Sequence, residues 1–101
     1  MTGWSFVRCG NVVTFTFNRV LSQVQKNFLY NNQGHPPTGY VPTHSLYFTG
    51  KQIVGTNQVG DFYLNLRSDG VAVVVSNSSH DDGRSYCVSG TYITNNPLPT
   101  L

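Results

Sequence analysis

Apolar side chains recur at every second position along most of this chain. Val13, Phe15 and Phe17 alternate with Val12, Thr14 and Thr16. Phe62, Leu64 and Leu66 alternate with Asp61, Tyr63, Asn65 and Arg67, and Tyr86, Val88 and Tyr92 with Cys87, Ser89 and Thr91. A strand points successive side chains to opposite faces, so this period dictates one buried face and one that meets water or a partner. No window of useful length carries the 3.6-residue helical period; Leu21, Val24 and Phe28 come nearest, and the stretch 20–30 reads as a strand or an irregular crossing. The expected fold is all-β: an antiparallel β-sandwich or barrel of about seven or eight short strands.

The second face is chemically unusual. It carries Ser, Thr, Asn and Tyr rather than charge. Only 10% of the residues are charged, and glutamate is absent; ordinary globular chains hold about 25%. Aromatic residues make up 13%, enough to fill the core of one 101-residue domain, which residues 1–101 are expected to form. A β domain with a neutral, tyrosine-dotted surface suits adhesion better than catalysis.

Charge excludes other classes. The net charge of +2 comes from six scattered cations, with no stripe to neutralise a nucleic-acid backbone. No apolar run approaches the roughly 20 residues of a membrane-spanning helix, so no membrane insertion is expected. No signal peptide is visible, since Met1-Thr2-Gly3 leads straight into strand residues; an initiator-like methionine on a chain that starts in mid-pattern equally fits a domain cut from a longer protein. Three dispersed histidines and two distant cysteines supply no zinc spacing, and two aspartates are too few for a calcium cage. Neither metal nor cofactor is expected. Cys9 and Cys87 are read as reduced thiols packed as small apolar residues, a disulfide being the alternative.

Strands are expected at 4–8, 11–17, 45–49, 52–56, 60–67, 71–75 and 85–94. Gly10-Asn11 reads as a hairpin turn, 31–42 as a loop stiffened by Pro36 and Pro37, Ser68-Asp69-Gly70 as a turn, and 95–101 as a tail. The valine run 71–75 is read as buried on both faces or packed against a neighbouring chain.

Three segments in order resemble a known pattern: Gly3-Trp4 to Arg8 followed by Gly10-Asn11-Val12-Val13-Thr14-Phe15; Pro37-Thr38-Gly39-Tyr40-Val41-Pro42 before a strand; and Asp69-Gly70-Val71 with Gly90-Thr91-Tyr92-Ile93 near the end. Together they resemble the C-terminal head domain of tail-tip receptor-binding proteins from siphophages of Gram-positive bacteria. The resemblance implies a small β head ending a longer fibre or baseplate protein and forming a homotrimer. It implies binding to host cell-wall saccharides, contact with other tail proteins, and residence in the virion after assembly in the bacterial cytoplasm. It implies neither cofactor nor bond cleavage.

Saccharides are held by planar polar groups that bond hydroxyl pairs and by rings that cover C–H faces. The loop His80, Asp81, Asp82 and Arg84 offers the first device; its competing reading is a solvated turn. Tyr47 and Tyr63, opposite in parity to Leu46/Phe48 and Phe62/Leu64, offer the second, or else form a cross-strand pair that only stabilises the sheet. His44 is a further candidate, as is His35. Trp4 and Tyr40 are read as packing residues. For catalysis the chain has no glutamate and no nucleophile elbow, and Asp81 and Asp82, being adjacent, would diverge on a strand. Two other roles remain open: a structural tail or baseplate module without ligand, and an envelope-polysaccharide hydrolase.

Overall fold

The computed structural model describes residues 3–30 and 39–94. The turn expected at 31–34, His35, Pro36, Pro37, the start of the Pro37–Pro42 segment and the tail 95–101 lie outside the described residues. The rest is all-β: β1 (Trp4–Cys9), β2 (Val12–Leu21), β3 (Leu29–Tyr30), β4 (Leu46–Val54), β5 (Asn57–Leu66), β6 (Ala72–Ser76) and β7 (Arg84–Ile93). All seven lie in one sheet in the order β1-β2-β7-β4-β5-β6-β3, and every pairing is antiparallel.

Two hairpins have the same chemistry. Gly10-Asn11 joins β1 to β2, and Gly55-Thr56 joins β4 to β5. The glycines take φ of 60° and 61°. A positive φ at the first central residue matches the right-handed twist of the strands it joins, and glycine reaches it without strain.

The alternation read from the sequence becomes an inner and an outer face. Val13, Phe15, Phe17, Phe62, Leu64, Leu66, Tyr86, Val88 and Tyr92 are all buried on the inner one. The sheet curls around them, so rings from distant strands meet: Phe15 and Phe48 centroids lie 4.9 Å apart, as do those of Phe62 and Tyr86. Each such side chain contributes about 1.5–3 kcal/mol by leaving water. Trp4 is half-buried and stacks on Phe6 at 5.3 Å, and Tyr40 lies 6.0 Å from Phe6, both as packing residues. In β6 all five residues are buried, on both faces, the first of the two readings of the valine run; Val71, just ahead of it, is half-buried.

Two irregular straps close the ends. At one, Arg8 donates to the Gly39 carbonyl at 2.6 Å, Thr94 Oγ1 to that of Val41 at 2.6 Å, and the Tyr92 hydroxyl to that of Tyr40. At the other, Val24 and His80 exchange backbone hydrogen bonds of 2.8 and 2.9 Å. The stretch read as 20–30 divides: β2 runs on past Phe17 to Leu21, Leu29–Tyr30 form β3, and only 22–28 cross irregularly, where φ of 57° at Gln23 and 61° at Asn27 breaks a regular strand.

Three expectations need correction. The strands read at 45–49 and 52–56 are one strand, β4, and its partner β5 starts at Asn57 rather than Gly60. Between Gln52↔Gly60 and Ile53↔Gln58 the register slips, leaving Val59 without a partner residue. That bulge breaks the alternation by one residue. Cys9 is exposed rather than packed. Both cysteines are free: Cys9 pairs in register with Val12 and Cys87 with Asn18, six residues further along β2, roughly 20 Å. A disulfide needs Cα atoms within about 7 Å.

Burial raises the pKa of both the Tyr86 and Tyr92 hydroxyls. The unfolded chain ionises its tyrosines near pH 10, whereas the fold holds these two neutral to higher pH. Their contribution to stability is therefore complete below about pH 10 and is lost as pH climbs toward the folded values. The urea midpoint should stay level to about pH 9 and then fall, less steeply in Tyr92→Phe. Parallel falls in parent and variant would remove Tyr92 from the account.

Candidate functional site

The outer face carries what the second half of the alternation supplied. The register places Tyr47, Thr49 and Lys51 of β4 beside Asn65, Tyr63 and Asp61 of β5, and Cys87, Ser89 and Thr91 of β7 beside Asn18, Thr16 and Thr14 of β2. Tyr47 and Tyr63 are 68% and 40% exposed, with centroids 5.8 Å apart and an edge-on angle of 65°. The two readings of this pair coexist: the rings touch across the strands, and both still offer surface.

Two hollows lie on this face, one of them beside Tyr63. One, of about 180 Å³, is lined by Tyr63, Thr49, Asp61, Val75, Asn27 and Asn77 over a floor of Phe62 and Ser76. The other, of about 460 Å³, runs over Thr16, Asn18, Thr49, Lys51, Cys87 and Ser89. Thr49 belongs to both. The hollow between β4 and β7 is shallow in side-chain terms because the residues there are small.

The two charged residues that line the hollows are paired. Lys51 Nζ lies 3.4 Å from Asp61 Oδ1, which also accepts from Gln58 Nε2 at 3.1 Å. The Asp61 amide donates to Asn77 Oδ1 at 3.1 Å, so Asn77 is held at the rim. The face is thus built of hydroxyls, carboxamides and rings, with near-zero net charge. Hydroxyls donate and accept in whichever direction a ligand asks.

The His80–Arg84 loop has a different character. His80 is 7% exposed, and both ring nitrogens are engaged. Nδ1 lies 2.8 Å from the Asp82 carbonyl, which can only accept, so Nδ1 carries the proton. Nε2 then accepts from the Tyr86 hydroxyl at 2.6 Å. His80 therefore ties the loop to the core and offers no free nitrogen. Arg84 donates through Nε to both Asp82 oxygens at 3.1 and 3.2 Å, and through Nη1 to buried Gln52 at 3.1 Å. The Arg84 hydrogen bonds hold the Asp82 carboxyl below its ordinary pKa. Gln52 in turn donates to Ser76 Oγ and to the Asp61 carbonyl, both at 2.7 Å. Asp81 and Asp82 are exposed.

The structure does not gather the expected site residues into one place. Arg84 sits beside Gln52, while Tyr47 lies five residues back along β4, roughly 17 Å away. His44 is exposed just ahead of β4, at the Tyr47 end. Tyr47 and Tyr63 touch across β4 and β5, the 80–84 loop lies toward the Gln52 end of β4, and His44 stands at the other end, three residues ahead of Tyr47. Sequence reasoning missed Thr16, Thr49, Asp61, Asn77 and Ser89; for Thr49 and Asp61 the signal was present, as shared parity with Tyr47 and Tyr63. Among the described residues, no group of three or more His, Cys, Asp or Glu is placed to hold a metal ion. The chain matches no protein-family model and no curated protein sequence.

Proposed function

We propose that this chain is a carbohydrate-binding β head, of the kind that ends a phage tail-tip receptor-binding protein and adsorbs the virion to a bacterial cell-wall saccharide. One observation carries the reading: an outer sheet face of hydroxyls, carboxamides and two exposed tyrosines, hollowed beside Tyr63 and almost free of uncompensated charge. A ring covers the C–H face of a sugar while neighbouring hydroxyls and amides bond its rim. Single sites of this kind are weak. A homotrimer repeated on one virion raises avidity by roughly 10²–10⁴ where spacing allows. The head acts by holding, without cofactor or bond cleavage.

A purified head should bind at least one neutral wall saccharide on a glycan array. Tyr63→Ala should weaken that binding by roughly tenfold, about 1.4 kcal/mol. Tyr63 also packs edge-on against Tyr47 and pairs with Val75, so the variant should lose up to about 1 kcal/mol of stability, and binding is read well below its melting temperature. Absence of binding to any glycan at millimolar concentration would sink the reading.

A second reading has its own observation. Val7, Val12 and Ile93 are 64%, 40% and 51% exposed, and Val12 pairs directly with Ile93. Exposed apolar residues grouped on a sheet face suit contact with another subunit or tail protein. A ligand-free structural module would use that patch and leave the tyrosines idle.

A further inference from the structure

We infer that the outer face takes an internal stretch of a linear, uncharged glycan laid across the strands, rather than a single terminal sugar. The inference rests on the saccharide reading above and adds the shape and charge of the ligand.

The two hollows adjoin at Thr49, which lines both. Their linings run from Val75 on β6 through β5, β4 and β7 to Thr16 on β2. Four interstrand steps span roughly 19 Å, longer than one pyranose. Neither hollow is enclosed, so the surface forms a trough and not a socket. A socket recognises a chain end by surrounding it; a trough accepts a chain that enters and leaves.

The lining also changes along its length. Around Tyr63 it offers a ring, the Val75 side chain, and the Asn27 and Asn77 carboxamides. Beyond Thr49 it offers the short side chains Thr16, Ser89 and Cys87, with the Asn18 carboxamide and Lys51 beside them. The first part can grip one sugar by its C–H face, and the second can carry its neighbours by hydroxyl contacts. Charge selects further. The lining holds one cation and one anion, Lys51 and Asp61, and these are paired at 3.4 Å. A phosphorylated or uronic polymer would find no spare cation here, and a basic one no spare carboxylate.

The test is affinity against length. Probes are β-1,4-linked glucose and β-1,4-linked N-acetylglucosamine oligomers from one to six sugars, together with size-fractionated neutral wall polysaccharide from Gram-positive cells. For a series that binds, affinity should rise by about tenfold or more from one sugar to four and then level off. Ser89→Tyr, and independently Thr16→Tyr, fill the far half of the trough from exposed positions on strands that favour tyrosine. Each should abolish the rise while leaving the affinity of the single sugar unchanged; Tyr63→Ala should weaken every length. A flat series, or a rise that survives both obstructions, overturns the inference and leaves the saccharide reading standing. Failure of every probe to bind overturns both.

Discussion

Gly50→Ala should destabilise the fold by about 2–3 kcal/mol, although alanine ordinarily favours a strand over glycine. Glycine in a strand interior costs roughly 0.5–1 kcal/mol through its loose backbone, and alanine would recover that. The space decides against it. A Cβ on Gly50 would stand 2.5 Å from the Phe62 ring and 2.6 Å from the Cys87 carbonyl oxygen. The ring could shift, but the carbonyl belongs to the ladder of β7. Gly90 provides the contrast: the atoms nearest its Cβ would be ring atoms, of Phe48 at 2.5 Å and Phe15 at 3.0 Å. Gly90→Ala should therefore cost less, and Phe48→Leu in the same chain should recover most of the loss. Phe62→Leu should not rescue Gly50→Ala, because the backbone oxygen remains. Urea midpoints of the single and double variants measure these couplings. A Gly50→Ala chain as stable as the parent would show that β4 and β7 are not this close.

Gly50 also explains where the sequence pattern stopped being legible. The alternation was legible in β2, β5 and β7, because Phe15, Phe17, Phe62, Leu64, Tyr86 and Val88 mark the inner face without interruption. In β4 the inner position at 50 holds no side chain and the next, Gln52, is polar, so one strand looked like two. Gln52 is buried because Arg84, Ser76 and the Asp61 carbonyl satisfy it, and two of those partners lie more than twenty residues away. Strand order was out of reach for the same reason: Val12 pairs with Ile93 across nearly the whole chain, and no local pattern announces that. At the site, Tyr47 and Tyr63 were found by parity alone. The histidine of the 80–84 loop was legible as polar and loop-borne. Its burial depends on Tyr86, whose own alternation showed only that it faces inward.

Tyr86→Phe is expected to lower stability by about 1–3 kcal/mol without opening a cavity. The ring keeps its place against Phe62, 4.9 Å between centroids. Only the hydroxyl that donates to His80 Nε2 is removed, which leaves a buried acceptor unmatched. His80→Ala should cost more, since the Asp82 carbonyl and the Tyr86 hydroxyl both lose their partner and the ring's volume is vacated. Asp81→Ala, at an exposed neighbouring position, should stay within about 0.5 kcal/mol. Hydrogen exchange should report the damage locally, because the Val24–His80 backbone pair is the next link in the clamp. A neutral Tyr86→Phe would refute the assigned hydrogen bond. Saccharide affinity of Asp81→Ala separates the two candidate surfaces, because Asp81 is exposed on the loop and lines neither hollow. A ligand in the trough should bind this variant as it binds the parent. A fall in affinity without a fall in stability would instead put the ligand on the 80–84 loop, with Asp81, Asp82 and Arg84 as its contacts.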